Sequence, residues 1–501
     1  MPDPSQSPNP SSGSLSRNGD DLERLVVLAC AVRPDYGRLT NPVPAPELPG
    51  GKAYTVALAA MRELFHVWGL DAKHFGSAEW NPLGTFVRAG SRVVLKPNWV
   101  LHWNKSGAGM DCMVTHAEVI EAGLEYLALA QPGSVVVGDS PVQGCNFGEL
   151  RRICGIDAIV ERLRNRGMDV DIRDFRRTVL PSGKLGGPRI EGNRALEHFV
   201  LFDLKQKSLL EPLASQAEKF RVTMYNPDLM HRTHGPAHHE YMIAREIIEA
   251  DTILNLPKLK THKKACVTGA LKNMVGINGH KEYLPHHRKG GGANGGDCYE
   301  GTSWLKSGAE TILDTANRLD PGRRQALFSK LAYVMSRLAV ALGYDRNMEG
   351  SWYGNDTIWR TCLDLQRIAK YGRLDGTLAD EPRRQVVSIT DGLIAGEGEG
   401  PMQPTPVPLG YLTGSANPAA AEWVHARLMG FDPKKIPLIR EAFSNFSHAL
   451  ADYPPSEIRL RSDEADLSEE EIFPIGGRAF MPAMGWKEHC ELDGAEIQGV
   501  R

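Results

Sequence analysis

Short β-branched runs that stop abruptly at polar residues alternate along this chain with longer stretches whose apolar residues recur at helical spacing. LERLVVLACAVR (22–33), SRVVLKPNWV (91–100), GSVVVGDSPVQG (133–144) and MDVDIRDF (168–175) read as strands. TVALAAMRELFHVWGL (55–70), THAEVIEAGLEYLALA (115–130) and FGELRRICGIDAIVERLRNRG (147–167) read as helices. Thr115 with Glu118 three residues on has the pattern of a capping box. Strands alternating with helices of this length predict an α/β fold: a mostly parallel sheet covered by helices on both faces.

Further along the pattern loosens. Residues 178–248 are mixed, and HRTHGPAHHEY (231–241) reads as a histidine-dense loop. HHRKGGGANGGDCYEG (286–301) predicts a glycine-rich loop or lid, and residues 302–380 read as largely helical. QVVSITDGLIAGEGEGP (385–401) predicts a strand with a glycine-rich exit, followed by a strand and helix in LGYLTGSANPAAAEWVHARLMGF (409–431). The expected layout is a tail over 1–23, rich in Pro, Ser and Asn and expected to be disordered, a core over 24–445 carrying the two insertions 178–248 and 286–380, and an irregular extension over 446–501.

Candidate chemistry sits where strands end. In parallel sheets the ligand crevice lies beyond the carboxyl ends of the strands, so the polar exits KPN, GDSP and NLPKLKTH are expected on one rim. Lys258, Lys260 and His262 alternate and would point to one side of an extended chain. Thr268 is the expected N-cap of a helix that places Lys272 and Asn273 near an anion. Lys96 ends a buried strand before Pro97, with Asn98 as an orienting donor; Asp139 and Ser140 follow VVV directly; Asp391 precedes Glu397 and Glu399 among glycines. His116 follows Thr115 at a helix start, where it could bind a ligand or exchange a proton. These spacings nominate His262, Lys272, Asp139 and Asp391 for catalysis, and Lys96, Asn98, Thr115, His116, Ser140, Lys258, Lys260, Thr268 and Asn273 for ligand binding. His231, His234, His238 and His239 lack a spaced Cys or carboxylate partner, so no metal set is assigned.

Composition narrows the class. The 501 residues are 42% hydrophobic with a net charge of −3, which gives no basic field for nucleic acid. No apolar run reaches membrane-spanning length, and the eight cysteines form no Cys-x-x-Cys pair, as expected of a cytoplasmic protein without an iron–sulfur cluster. The expected partner is an anionic small molecule, phosphorylated or nucleotide-linked. Cofactor and oligomeric state are not encoded in any recognisable pattern.

Seven ordered motifs carry a resemblance: VVLKPNWV, VTHAEVIEAGLEYL, VVVGDSP, ADTILNLPKLKTHKKACVTGALKNMVG, TIWRTCLDLQRI, DGLIAGEGEGP and NPAAAEWVHARLMGFDPKKIP. Together, over roughly residues 90–445, they resemble the family called domain of unknown function 362. Many members of that family carry a ferredoxin-like segment, whose cysteines this chain lacks. One motif is also similar to the lactate racemases that use a nickel-pincer nucleotide: a histidine followed ten residues later by a lysine in a stretch ending Gly-Ile, here His262, Lys272, Gly276 and Ile277. In that family the lysine holds the cofactor and the histidine lies in the active site. The resemblances leave open an enzyme acting on an anionic metabolite, a non-enzymatic ligand-binding or scaffold protein of a biosynthetic cluster, and an isomerase or racemase.

Overall fold

The computed structural model describes residues 21–30, 45–49, 52, 55–180, 191–223, 225–343, 347–472, 474 and 479–493. Of the expected tail, residues 1–20 lie outside those described, and 21–24 form a helical turn leading into the first strand.

Among the described residues eleven strands form one large sheet. They are β1 (Leu25–Cys30), β2 (Arg92–Pro97), β3 (Ser134–Asp139), β4 (Val170–Asp174), β5 (Thr252–Leu256), β6 (Lys258–His262), β7 (Cys266–Thr268), β8 (Gln385–Glu399), β9 (Gln403–Ser415), β10 (Arg459–Arg461) and β11 (Asp466–Ser468). The order is β11-β10-β1-β9-β8-β5-β2-β3-β4, with β6 and β7 attached beside the far half of β8. The run β8-β5-β2-β3-β4 is parallel throughout, and β9 is antiparallel to both of its neighbours. The expected α/β architecture is therefore present.

Side-chain alternation builds two layers. Val93 and Leu95, with Leu254 and Leu256, face the helices α1 (Val56–Trp68) and α2 (Ala117–Leu129). Val94, Ile253 and Val386 face the opposite layer, which includes Leu365 and Ile368 of α8 (Ile358–Tyr371). α3 (Phe147–Cys154) and α4 (Ile156–Asn165) join the first layer, and α9 (Pro418–Leu428) lies with Val26 and Leu28 on the second. From β2 the chain moves outward through β3 to β4, and β5 then returns to the other side of β2. That reversal opens a crevice where β2, β3 and β5 end.

Several local expectations are corrected. The helix after Thr115 is capped by His116, whose Nδ1 accepts from the Glu118 amide at 3.3 Å, because the Thr115 hydroxyl is engaged elsewhere: it donates to the Leu256 carbonyl and accepts from the Asn98 amide, both at 2.7 Å. The DGLIAGEGE segment is not an exit. β8 runs on through it because β9 pairs with it from Ser388 to Glu399, with one register shift between Gly392 and Ile394, so Asp391 sits mid-strand. The glycines there serve close approach: a Cβ on Gly396 would stand 2.5 Å from the Cys112 carbonyl oxygen. The histidine-dense stretch is not loop but a short helix (Pro227–Thr233) and a hairpin of His234–Gly235 with His238–Ala244. In the segment after 445, expected to be irregular, β10 and β11 extend the sheet beside β1. The 286–380 region holds the helices α6 (Trp304–Arg318) and α7 (Arg323–Ala341), packed on each other, ahead of α8.

Candidate functional site

At the crevice the backbone of β5 passes through Pro257 straight into β6, so one continuous extended segment carries Asn255, Lys258, Lys260 and His262. All four are buried. β7 folds back on β6, and one helical turn, α5 (Ala270–Asn273), returns Lys272 and Asn273 to the ends of β2 and β3. Its preceding residue is Gly269, so Thr268 does not cap it. A single turn aligns too few peptides to make a dipole site of the kind expected, and the positive field there comes from lysines.

A cavity of about 280 Å³ occupies this rim. Of the residues nominated from sequence, His262, Lys272, Asp139, Asn98, Ser140, Thr268 and Asn273 line it. Lys96, Thr115, His116, Lys258, Lys260 and Asp391 do not. Apart from the half-buried His116, these form a buried polar layer behind it. Lys258 pairs with Asp391, whose two oxygens also accept from the His116 amide at 2.8 Å and the Leu393 amide at 3.1 Å. Lys260 donates to Asn98 Oδ1 and to the Met113 carbonyl. Burial and the Lys258 charge hold the Lys260 ammonium well below the ordinary lysine range.

Asp139 accepts three hydrogen bonds. Its Oδ1 accepts from Lys96 Nζ at 2.7 Å and the Ser140 amide at 2.8 Å, and its Oδ2 from the Trp99 amide at 2.6 Å. Burial pushes its carboxyl up and the Lys96 ammonium down, and the attraction between the two opposes both shifts. The Asn273 side chain ties α5 to the strands: its Oδ1 accepts from Asn98 Nδ2 at 2.9 Å, and its Nδ2 donates to Asn255 Oδ1 at 2.7 Å. These groups position the wall of the cavity and have few bonding sites left for a ligand.

The uncommitted chemistry belongs to Lys272, His262 and Thr268. Lys272 is buried, and among the described residues its Nζ makes no hydrogen bond or ion pair. Burial lowers its affinity for a proton, with Cys362, Asp139 and Glu422 opposing. His262 Nδ1 accepts from the Lys264 and Ala265 amides at 3.0 and 3.2 Å, which leaves the proton of the neutral ring on Nε2. Burial, then the nearby Lys272, Lys264 and Lys260, hold this imidazole well below its ordinary range, so it is neutral at pH 7. The Thr268 hydroxyl is buried without a partner among the described residues.

Several polar lining residues were not nominated from sequence, among them Lys281, Lys264, His286 and Tyr225. Lys281 Nζ donates to the Ser140 carbonyl at 3.0 Å and hydroxyl at 3.3 Å, and burial lowers its pKa to about 7. Burial lowers Lys264 to about 8, and its Nζ donates to the Glu349 carbonyl. His286 and Tyr225 complete the far wall. The doubled HH at 286–287 and the lysines on either side of His262 were visible as letters, but only the return of the loop to the strand ends gives them a place. The four histidines at 231–239 lie apart from the cavity. His239 Nε2 lies 3.0 Å from Glu211, and the Nδ1 atoms of His234 and His239 are 3.3 Å apart.

Residues 93–197 and 207–427 match the family described as domain of unknown function (DUF362), more than half of the chain. The chain belongs to the DUF362 family. Both matched segments contribute to the cavity: Asn98 and Asp139 from the first, and His262, Lys272 and Lys281 from the second. A curated relative, the thylakoid-associated protein sll1697 of Synechocystis sp., is 23% identical over 356 residues, covering 71% of this chain and 68% of that protein. A crystal structure of a Thermotoga maritima protein is matched with a TM-score of 0.26 and 12% identity, over 64% of this chain and about half (49%) of that one. Among the described residues no helix is long and apolar enough to cross a membrane.

Proposed function

We propose that the cavity binds an anionic small molecule, phosphorylated or nucleotide-linked, and that this DUF362 protein acts on it as an enzyme. One observation carries the reading: the largely buried Lys272 side chain lines the cavity, and its ammonium has no partner among the described residues. An unpaired buried cation is costly, and a bound anion removes the cost. The wall around it has the same sign. Lys263, Lys264, Lys272 and Lys281 line it against two carboxylates, Asp139 and Glu349, and Asp139 is consumed by Lys96. Neutral His262 offers Nε2–H, and the Thr268 hydroxyl adds a donor, both suited to phosphate or carboxylate oxygens.

For chemistry, Lys272 is the strongest group. A desolvated amine with lowered proton affinity can accept a proton or attack a carbonyl carbon. His262, as a neutral donor, suits stabilising charge that develops on a substrate oxygen better than removing a proton. The balanced net charge of −3 favours a small ligand over a nucleic acid. Cys112, Cys145, Cys154, Cys266, Cys298, Cys362 and Cys490 are free thiols, which supports a reducing compartment such as the cytoplasm.

The experiment is calorimetric titration of sulfate, inorganic phosphate and sugar nucleotides into the full chain and into Lys272→Met. Saturable binding by the native chain, lost in the folded variant, supports the site. Equal binding by both overturns it. Incubation of each bound compound, followed by mass spectrometry, separates the two roles: a compound recovered unchanged assigns binding without turnover.

A further inference from the structure

A second cavity, of about 220 Å³, lies between α6 and α7 and is lined in part by the glycine-rich loop. His287, Cys298 and Glu310 line it, all three buried. A ring nitrogen of His287, the sulfur of Cys298 and a carboxylate oxygen of Glu310 lie within 4.8 Å of one another. We propose that these three residues bind one divalent transition-metal ion of the zinc class, with its remaining coordination position open to this cavity.

Chemistry and geometry converge on this cluster. Imidazole, thiolate and carboxylate are the three donor types zinc takes, and three protein ligands with one open position is the arrangement of reactive rather than purely structural zinc. Donor atoms sharing a zinc ion stand about 3–4 Å apart, given bond lengths of about 2.0–2.3 Å. The cluster therefore needs only small side-chain movements to close. The second observation is independent of the spacing: His287 Nδ1 is buried and has no hydrogen-bond partner among the described residues. Buried polar atoms left unpaired are rare and call for a partner.

The scaffold holds the three donors from separate segments. His287 stands on a two-residue strand paired with Phe220–Arg221. Cys298 lies in the second half of the glycine-rich loop, and its amide donates to the Gly290 carbonyl at 3.0 Å. Glu310 projects from α6, and both its oxygens accept from the Gly290 amide at 3.1 Å. The nearby cations are spoken for: Arg221 and Lys289 both bind Asp314, at 2.9 and 2.8 Å. A dication held by thiolate and carboxylate leaves the centre with no net charge, and binding releases the thiol proton to solvent.

The centre is also joined to the first cavity. Glu349 lines both. Its amide donates to the Cys298 sulfur at 3.1 Å, and its carbonyl accepts from Lys264 of the anion-binding wall. A metal ion drawing on that sulfur thereby fixes the segment that positions Lys264. This inference stands whether or not the first cavity binds an anion.

The test uses the full chain, stripped with a chelator and titrated with cobalt(II) and then zinc. One equivalent of cobalt should bind with a thiolate-to-cobalt charge-transfer band, and zinc should displace it. Cys298→Ser should lose the band, and Cys298→Ser and Glu310→Gln should each weaken zinc binding by roughly 100-fold or more while keeping the native circular dichroism. Absence of stoichiometric binding by the folded native chain overturns the proposal. So does uptake unchanged in both variants, which would place the metal on other thiols. Should Cys298→Ser fail to fold, Glu310→Gln with the native chain decides the matter by the same readout.

Discussion

Gly276 lies directly over Asp139: a Cβ at Gly276 would stand 1.8 Å from Asp139 Oδ1 and 2.7 Å from Lys96 Nζ. The Lys96–Asp139 pair is thus sealed from above by bare backbone, and the Gly276 carbonyl accepts from the Ser140 amide at 2.9 Å. Gly276→Ala must push the α5 segment away from the strand ends. The expected cost is about 3 kcal/mol, the scale of overpacking in a closed interior. Urea unfolding should show a lower midpoint with an unchanged slope, and anion binding should weaken because Lys272 moves with the same segment.

Within the pair itself, removing one partner should hurt more than removing both. Asp139→Asn leaves the Lys96 ammonium buried against a neutral amide, an expected loss of ~3–5 kcal/mol. Lys96→Met with Asp139→Leu replaces two buried charges by apolar groups and should recover much of that loss. A double-mutant cycle of Lys96→Met, Asp139→Leu and the two together, read by denaturant unfolding, measures the coupling. If Asp139→Asn costs less than the double variant, the pair is not the element that holds the rim.

The sheet and the existence of the rim were legible because β-branched runs ending in KPN and GDSP report both burial and its sudden end. His262 was legible from its alternation with Lys258 and Lys260 at a strand end, and Lys272 as a polar residue in an otherwise small and apolar stretch. Asp391 misled: glycines beside it imitate a turn, and only pairing with β9 from Ser388 to Glu399 shows that they allow close strand approach. Thr115 misled in a similar way, since a threonine before a helix satisfies a capping pattern locally while its hydroxyl is taken by Leu256, 141 residues away. Lys281 and His286 were not legible, because their place depends on a loop returning to strands that sequence spacing does not register. Cys298 and Glu310 come near His287 by the same kind of return.

Lys272 should be dispensable for stability and necessary for ligand. Lys272→Met keeps most of the side-chain volume and removes a cation buried without a partner among the described residues. The ligand-free variant should melt at or above the native temperature, and the rise in melting temperature that the native chain shows with sulfate should vanish. A saturating ligand at about 100 times its Kd stabilises by about 2.7 kcal/mol, so the difference is readily measured. A variant that melts lower and still responds to sulfate would remove Lys272 from the site.

Lys281 gives the site a pH dependence of known sign. Burial lowers its pKa from 10.5 to about 7. Below pH 7 the native ammonium is charged and can bind an anion; above it the amine is neutral and attraction fades. Sulfate is the suitable probe because its charge is constant across this range. Its affinity should fall as pH rises through about 7, and Lys281→Met should bind more weakly at pH 6 and show a flatter profile. Stability follows the opposite course. Between pH 7 and 10.5 the unfolded chain holds the proton that native Lys281 has lost, so this group makes stability rise with pH over that window. Below pH 7 its cost is present in full. Lys281→Met should therefore raise the melting temperature of the ligand-free chain most at low pH, with the gain shrinking toward pH 10. A sulfate affinity that is flat from pH 6 to 9 in the native chain would show that Lys281 does not titrate within the site.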